Sequence, residues 1–170
     1  MPDDGEILTM AVKRNASAPR VLVAEDNPVN QFLLLTILEA AGCSVHIAGD
    51  GKTAIEQLLS HKYDVILMDQ YMPGMNGPEA VTAIRQLDLN AAPIPIIAIT
   101  TDGDDTDRFR ASVDEFVSKP FDPEQLFEAI AHVTGFEPPV SVLAEIVAGL
   151  AAIRAPAGGT EPVPPHTDLR

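Results

Sequence analysis

The stretch that decides the fold is YDVILMDQYMPGMNG, residues 63–77. Its apolar run VILM ends in the carboxylate of Asp69, and a Pro/Gly-rich loop follows. An apolar run without polar alternation is typical of a parallel strand that is buried on both faces. We therefore predict a central strand over residues 64–68, with Asp69 at its carboxyl end.

Three other apolar runs also end in polar side chains. Glu25 and Asp26 follow VLVA, Thr100 follows IPIIAI, and Lys119 with Pro120 follows EFVS. Each of these residues alone is typical of a helix start, a turn or an ordinary strand end. Their joint appearance after four apolar runs instead indicates a common site.

The pattern around these runs predicts a fold of the α/β class. Between residues 20 and 135, short apolar runs alternate with amphipathic stretches, which is typical of a parallel sheet covered by helices. The predicted strands are 21–24, 44–48, 64–68, 94–99 and 115–118. Helices are predicted after the capping residues Asn27, Asp50 and Asp122 and from Pro78, whereas residues 102–112 have at most a short helix. Five strands and five helices in this alternation favour the flavodoxin-like strand order 2-1-3-4-5.

That strand order brings the polar strand ends together. Ligand sites in open α/β sheets lie beyond the carboxyl ends of the strands, where Glu25 and Asp26 would neighbour Asp69. Three close carboxylates repel one another unless a cation is present, and Mg²⁺ is a hard cation that prefers such oxygen ligands. We predict a divalent-metal and phosphoryl site. Asp69 is its carboxylate nucleophile, and Lys119 and Thr100 contact the phosphoryl oxygens.

The composition excludes several classes of protein. The chain has 170 residues, a net charge of −14 and a pI of about 4.4, which argues against nucleic-acid binding because that needs a basic surface. The single cysteine, Cys43, rules out a disulfide framework. The first residues resemble no signal peptide, and no apolar run is long enough to span a membrane. We expect a cytoplasmic protein.

We divide the chain into four segments. Residues 1–18 are predicted to form a flexible arm, residues 19–135 the α/β domain, residues 136–154 an accessory helix, and residues 155–170 a disordered Pro/Gly-rich tail. Four apolar residues of the accessory helix fall on one helical stripe: Leu143, Ile146, Val147 and Leu150. This stripe packs on the domain, mediates a homodimer or binds a partner helix, and we favour packing on the domain.

The segments VLVAEDNPVNQ, YDVILMDQYMPGMNG, IPIIAITT and EFVSKPFD resemble the receiver domains of two-component response regulators, both stand-alone receivers and those of hybrid kinases. The resemblance implies that Asp69 accepts a phosphoryl group from a phosphohistidine of a histidine kinase or histidine phosphotransfer protein. It implies that Glu25, Asp26, Asp69 and the backbone carbonyl of Tyr71 bind Mg²⁺ (or Mn²⁺). The phosphorylated domain would then control a downstream protein target.

The resemblance also assigns the switch and output residues. Thr100 and Phe116 stand at the switch positions, and the bond between Lys119 and Pro120 is expected to be cis. Such a domain is not an enzyme beyond its own phosphorylation and dephosphorylation. A homodimer through the accessory helix or through the face of helix 4, strand 5 and helix 5 remains open.

The sequence departs from the family between Thr100 and Lys119. This stretch is about three residues shorter than expected, close to one helical turn, so helix 4 should be short, frayed or replaced by a loop. A shortened helix 4 leaves open a pseudo-receiver that binds proteins without being phosphorylated. Two other classes of protein with this fold are disfavoured. A phosphatase of the haloacid-dehalogenase kind needs an acidic residue at the position of Tyr71, and a flavodoxin needs a Ser/Thr-rich phosphate loop where this chain has the acidic EDNPVN.

Overall fold

A five-stranded parallel sheet forms the centre of the molecule, with strand order β2-β1-β3-β4-β5. The structure, a computed structural model, describes residues 17–87, 92–101 and 106–154. The predicted flavodoxin-like strand order and the alternation of strands with helices are confirmed. The predicted arm falls almost wholly outside the described residues, and the tail of residues 155–170 lies outside them.

Each strand of the sheet is followed by a helix. The strands are β1 Arg20–Ala24, β2 Ser44–Ala48, β3 Val65–Asp69, β4 Ile96–Thr100 and β5 Glu115–Ser118. The helices are α1 Pro28–Ala40, α2 Gly51–Ser60, α3 Gly77–Gln86, α4 Thr106–Arg110, α5 Pro123–Thr134 and α6 Val140–Arg154. The predicted strand ends were one or two residues off for β1, β3 and β4, and both Asp69 and Thr100 are the last residues of their strands.

Side chains that cap the backbone begin the four longer helices of the sheet layers. The side chains of Asn27, Asp50 and Asp122 accept hydrogen bonds from backbone N–H groups in the first turns of α1, α2 and α5. Asn76 forms a capping box with Glu79 at the start of α3. Gly135 ends α5 with a φ of 76°, a left-handed conformation that favours glycine. These caps fix where each helix leaves the carboxyl edge of the sheet or returns from it.

The sheet separates two apolar cores because successive strand residues point to opposite faces. Alternate β3 residues, Val65 and Leu67, belong to the core under α1 and α5. The residues between them, Ile66 and Met68, belong to the core under α2 and α3. The central strands are therefore buried on both faces, as their unbroken apolar runs predicted.

Helix α4 is short, as the shortened stretch of sequence between Thr100 and Lys119 predicted. It has five residues, and its Phe109 is fully buried in the core on the α2 and α3 side of the sheet. The guanidinium of Arg110 lies 3.9 Å from the centre of the Phe116 ring on β5. One buried aromatic side chain therefore anchors this short helix on the sheet.

Helix α6 lies on the outside of α1 and α5. Three residues of its predicted stripe pack against the core under those helices, whereas Val147 is not among the packed residues: Leu143, Ile146 and Leu150. Packing within the chain, the option favoured from the sequence, is therefore present in the structure. In the part of the chain that the structure describes, no helix is long and apolar enough to cross a membrane.

Candidate phosphoryl and metal site

The strand register brings the polar strand ends together at one edge of the sheet. Ala24 of β1 pairs with Met68 of β3, and Asp69 pairs with Ile99 of β4. Thr100 in turn pairs with Ser118 of β5. The residues that end or directly follow these four strands therefore lie side by side, as the sequence predicted.

Three carboxylates form the acidic part of this site. Glu25, Asp26 and Asp69 each place one carboxylate oxygen within 4.8 Å of the others. Glu25 and Asp69 are buried, whereas Asp26 is exposed. An oxygen-only set that is open on one side is suited to a hard divalent cation that keeps part of its water shell.

The ammonium of Lys119 reaches across the site to two of these carboxylates. Its Nζ lies 2.7 Å from Glu25 Oε2 and 3.1 Å from Asp69 Oδ1. Burial alone would lower the pKa of Lys119, but its hydrogen bonds and charge contacts with Glu25 and Asp69 outweigh burial and raise that pKa. Lys119 is therefore a fixed positive charge beside Asp69.

Opposing effects act on Asp69 itself. Burial, and then the negative charge of Glu25, raise the pKa of its carboxyl group, while the charge and hydrogen bond of Lys119 lower it and only partly compensate. Burial and the neighbouring carboxylate thus both disfavour the ionised form of Asp69. A divalent cation beside the three carboxylates would favour that ionised form.

Hydrogen bonds hold the loops that follow β1 and β3 in place. The N–H of Asn27 donates to Glu25 Oε1 over 3.0 Å, and Gln31 Nε2 donates to the carbonyl of Glu25 over 2.6 Å. The N–H of Gly77 donates to the carbonyl of Gln70 over 3.0 Å, which closes the loop after β3 onto the start of α3. The first turns of α1 and α3 thus position Glu25 and Asp69.

On the far side of the site, β5 is joined to β4 beyond the last strand pair. The N–H of Lys119 donates to the carbonyl of Thr100 over 2.7 Å. The peptide bond between Lys119 and Pro120 is cis. The hydrogen bond to Thr100 holds the Lys119 backbone at the strand end from which its ammonium reaches Asp69.

Sequence reasoning missed the partner of Thr100. The Thr100 hydroxyl is fully buried and donates to the side-chain oxygen of Gln70 over 2.5 Å. Gln70 directly follows Asp69 and is itself 3% exposed. The available signal in the sequence was a polar residue, Gln70, directly after a buried strand. Because Asp69 pairs with Ile99, the residues that follow them, Gln70 and Thr100, lie opposite each other.

Two predicted residues lie at the rim of the site. The ring of Tyr71 is 57% exposed, and the backbone carbonyl of this residue is the part that the resemblance implies as a metal ligand. Phe116, at the predicted switch position, is 39% exposed beneath the Arg110 guanidinium. The Phe116 ring therefore points outward rather than into the core.

Fold and site together define an α/β signalling domain with an acidic pocket at the carboxyl edge of a parallel sheet. The family model for the response regulator receiver domain matches residues 21–131. The chain belongs to this family, the receiver domains of two-component systems. This finding confirms the resemblance that the four sequence segments indicated and does not favour the pseudo-receiver alternative.

Similar proteins agree with this assignment. The chain is 43% identical over 120 residues to hybrid signal transduction histidine kinase I of Dictyostelium discoideum, covering 65% of this chain and 7% of that protein. It is 33% identical over 114 residues to protein PilH of Pseudomonas aeruginosa, covering 65% of this chain and 93% of PilH. The chain thus spans only a small part of the hybrid kinase but nearly all of PilH.

A solved structure gives the corresponding comparison of folds. The chain is similar to the receiver domain of the Pseudomonas aeruginosa sensor histidine kinase PA1611, with a TM-score of 0.64 and 32% identity. The match covers 70% of this chain and 99% of that domain, whose crystal structure holds a magnesium ion in its active site cleft.

Proposed function

We propose that Asp69 is the residue that accepts the phosphoryl group in this receiver domain. The observation that carries the proposal is the contact of the Lys119 ammonium with Asp69 and Glu25, at 3.1 Å and 2.7 Å. A buried carboxylate beside a fixed ammonium and two further carboxylates is suited to accept phosphorus when a metal is bound. The donor we propose is a phosphohistidine of a histidine kinase or histidine phosphotransfer protein.

Glu25, Asp26 and Asp69 would hold Mg²⁺ (or Mn²⁺), together with the backbone carbonyl of Tyr71. The close approach of one oxygen from each of the three carboxylates supports this ligand set. The bound cation would offset the repulsion among the carboxylates and neutralise charge on the transferred group. The exposure of Asp26 leaves one side of the site open for the donor.

In the transfer step, a carboxylate oxygen of Asp69 attacks the phosphorus of the phosphohistidine. The new O–P bond forms as the P–N bond breaks, and the bonding electron pair leaves with the imidazole nitrogen. Lys119 keeps its proton throughout and orients Asp69 while it neutralises a phosphoryl oxygen. When the signal ends, water attacks the phosphorus of the aspartyl phosphate. The P–O bond to Asp69 breaks, which regenerates the Asp69 carboxylate and releases inorganic phosphate.

The phosphorylated domain would then change the conformation of its strand ends. Thr100 would donate its hydroxyl hydrogen to a phosphoryl oxygen, and Lys119 would bind a second one. Phe116, which lies on the adjacent β5 and is partly exposed, would respond to the shift of Thr100. A downstream protein target would read the difference between the two conformations.

The test is an intact-mass measurement after incubation with Mg²⁺ and acetyl phosphate. We expect one added phosphoryl group on the parent chain and none on Asp69→Asn, because the amide is a far weaker nucleophile. Asp107→Asn is a matched control, since this exposed aspartate lies on α4, and it should be phosphorylated like the parent.

Phosphorylation of the Asp69→Asn variant at the parent level would contradict the proposal. Absence of an adduct on all three chains, repeated with a phosphorylated histidine phosphotransfer protein as the donor, would favour a pseudo-receiver that only binds proteins.

A further inference from the structure

The buried contact between Gln70 and Thr100 is the feature that the proposed function does not use. Gln70 is 3% exposed and Thr100 is fully buried, and 2.5 Å separates the Thr100 hydroxyl from Gln70 Oε1. The same hydroxyl lies 3.1 Å from the carbonyl oxygen of Thr101. Because Thr100 has a single hydroxyl hydrogen, its contact with Gln70 competes with any other acceptor.

The fold places these two side chains opposite each other. In the register of the parallel pair β3 and β4, Met68 pairs with Ala98 and Asp69 with Ile99. Gln70 and Thr100 are the next residues on each side, and alternation turns both toward the face that holds Met68 and Ala98. The contact is therefore set by the backbone, directly beside Asp69.

We propose that Gln70 is a positioning residue that holds Thr100 in its unphosphorylated conformation. The proposal rests on the proposed function, in which Thr100 donates to a phosphoryl oxygen on Asp69. To do so, the hydroxyl must leave Gln70, so the hydrogen bond stabilises only the unphosphorylated state. A contact made in one state alone shifts the equilibrium between the two states.

The direction in which phosphoryl binding changes when the Gln70 amide is removed separates this role from a merely structural one. If Gln70 only supports the fold, removing its side-chain amide loosens the site and weakens phosphoryl binding. If Gln70 restrains Thr100, removing the acceptor makes the phosphoryl-bound state easier to reach and strengthens binding. A hydrogen bond of ordinary net strength corresponds to about a two- to tenfold change in affinity.

The experiment measures the affinity of the full chain for beryllofluoride in the presence of Mg²⁺, by calorimetry or amide NMR. This ligand is a tetrahedral mimic of a carboxylate-bound phosphoryl group. Gln70→Met keeps the length of the side chain but removes the acceptor, and we expect it to bind about two- to tenfold more tightly than the parent. Unchanged or weaker binding would overturn the proposal.

Two controls make the result specific. Gln57 is a partly buried glutamine on α2 whose side chain bonds to Tyr63 and to the carbonyl of Ile47, neither of which is a site residue, so Gln57→Met should leave the affinity unchanged. In a Thr100→Val background, which lacks the hydroxyl, Gln70→Met should no longer strengthen binding. An equal gain with and without the hydroxyl would also contradict the role of Gln70.

Acetyl phosphate labelling of the same samples distinguishes the two proposals. An adduct on Asp69 with no gain for Gln70→Met overturns the positioning role and leaves the proposed function standing. A parent chain that takes up neither a phosphoryl group nor beryllofluoride contradicts the proposed function, and with it the role of Gln70.

Discussion

At the scale of single residues, Cys43 shows how burial changes the chemistry of a side chain. It lies between α1 and β2, 6% exposed, in the core under α1 and α5. Burial raises the pKa of its thiol from 9.0 to about 11. A folded-state pKa above the unfolded one gives stability that is fully present below pH 9 and is lost as the pH rises toward 11.

We therefore expect Cys43 to make the fold sensitive to alkali. Between pH 8 and pH 10.5 the thiol should cost the parent chain about 2 kcal/mol of unfolding free energy, beyond the loss caused by all other groups. Urea unfolding at the two pH values, compared with Cys43→Ala, isolates this part. The variant starts from a lower stability at pH 8 but should lose less on going to pH 10.5, and equal losses in the two chains would refute the effect.

The site residues show what could be read from the sequence. Glu25, Asp26, Asp69, Thr100 and Lys119 could be grouped because each ends or follows an apolar run, and strand ends in a parallel sheet meet at one edge. The contact of Gln70 with Thr100 could not be read in this way, because it depends on the register between β3 and β4. Register depends on how the burial patterns of two strands and their connections fit together, so one apolar run does not reveal it.

At the scale of elements, the start of α3 controls the backbone of Asp69. A Cβ added to Gly77 would lie 2.2 Å from the carbonyl oxygen of Asp69 and 3.0 Å from Cα of Gln70. Neither neighbour is the end of a flexible side chain, so the backbone itself would have to move. Only glycine allows α3 to begin this close to the end of β3.

We expect Gly77→Ala to destabilise the fold by roughly 1–3 kcal/mol, the usual range for overpacking a well-packed site. It should also slow labelling by acetyl phosphate, because the displaced backbone carries Asp69. Gly49→Ala is the matched control, since a Cβ at Gly49 would meet nothing within 4 Å. Equal stabilities and labelling rates for the two variants would show that the loop adapts to the extra methyl group.

Element lengths were also partly predictable. The short α4 followed from the small number of residues between Thr100 and Lys119, a count that the sequence supplies directly. The sequence could not predict which side chain of α4 contacts the exposed ring on β5. The Arg110 guanidinium over Phe116 is a contact between two elements, and it depends on where α4 packs rather than on its length.

At the scale of the whole molecule, α6 extends the receiver domain beyond its five alternating units. It contacts both α1 and α5, and its residues Leu143, Ile146 and Leu150 add to the core beneath these helices. The same helix also carries exposed apolar side chains, including Val140 and Ile153. The pattern of its stripe predicted one apolar face, but the choice between packing within the chain and binding another chain depends on which neighbour is present.

Substitution of two isoleucines on α6 separates these alternatives. Ile146 packs against the core, whereas Ile153 is 80% exposed, and both residues change from isoleucine to alanine on the same helix. If α6 is part of the domain, Ile146→Ala should lower the unfolding free energy by about 1–2 kcal/mol, less than for a fully buried site. Ile153→Ala should stay within about 0.5 kcal/mol of the parent, as measured by urea unfolding.

The concentration dependence of the melting temperature completes this test. Stability that comes from packing within one chain does not depend on protein concentration, whereas stability from a dimer does. We expect a parent melting temperature that stays constant as the protein is diluted, and a loss for Ile146→Ala that is the same at every concentration. A melting temperature that falls on dilution, together with a larger effect of Ile153→Ala than of Ile146→Ala, would instead make α6 the contact between two copies of the chain.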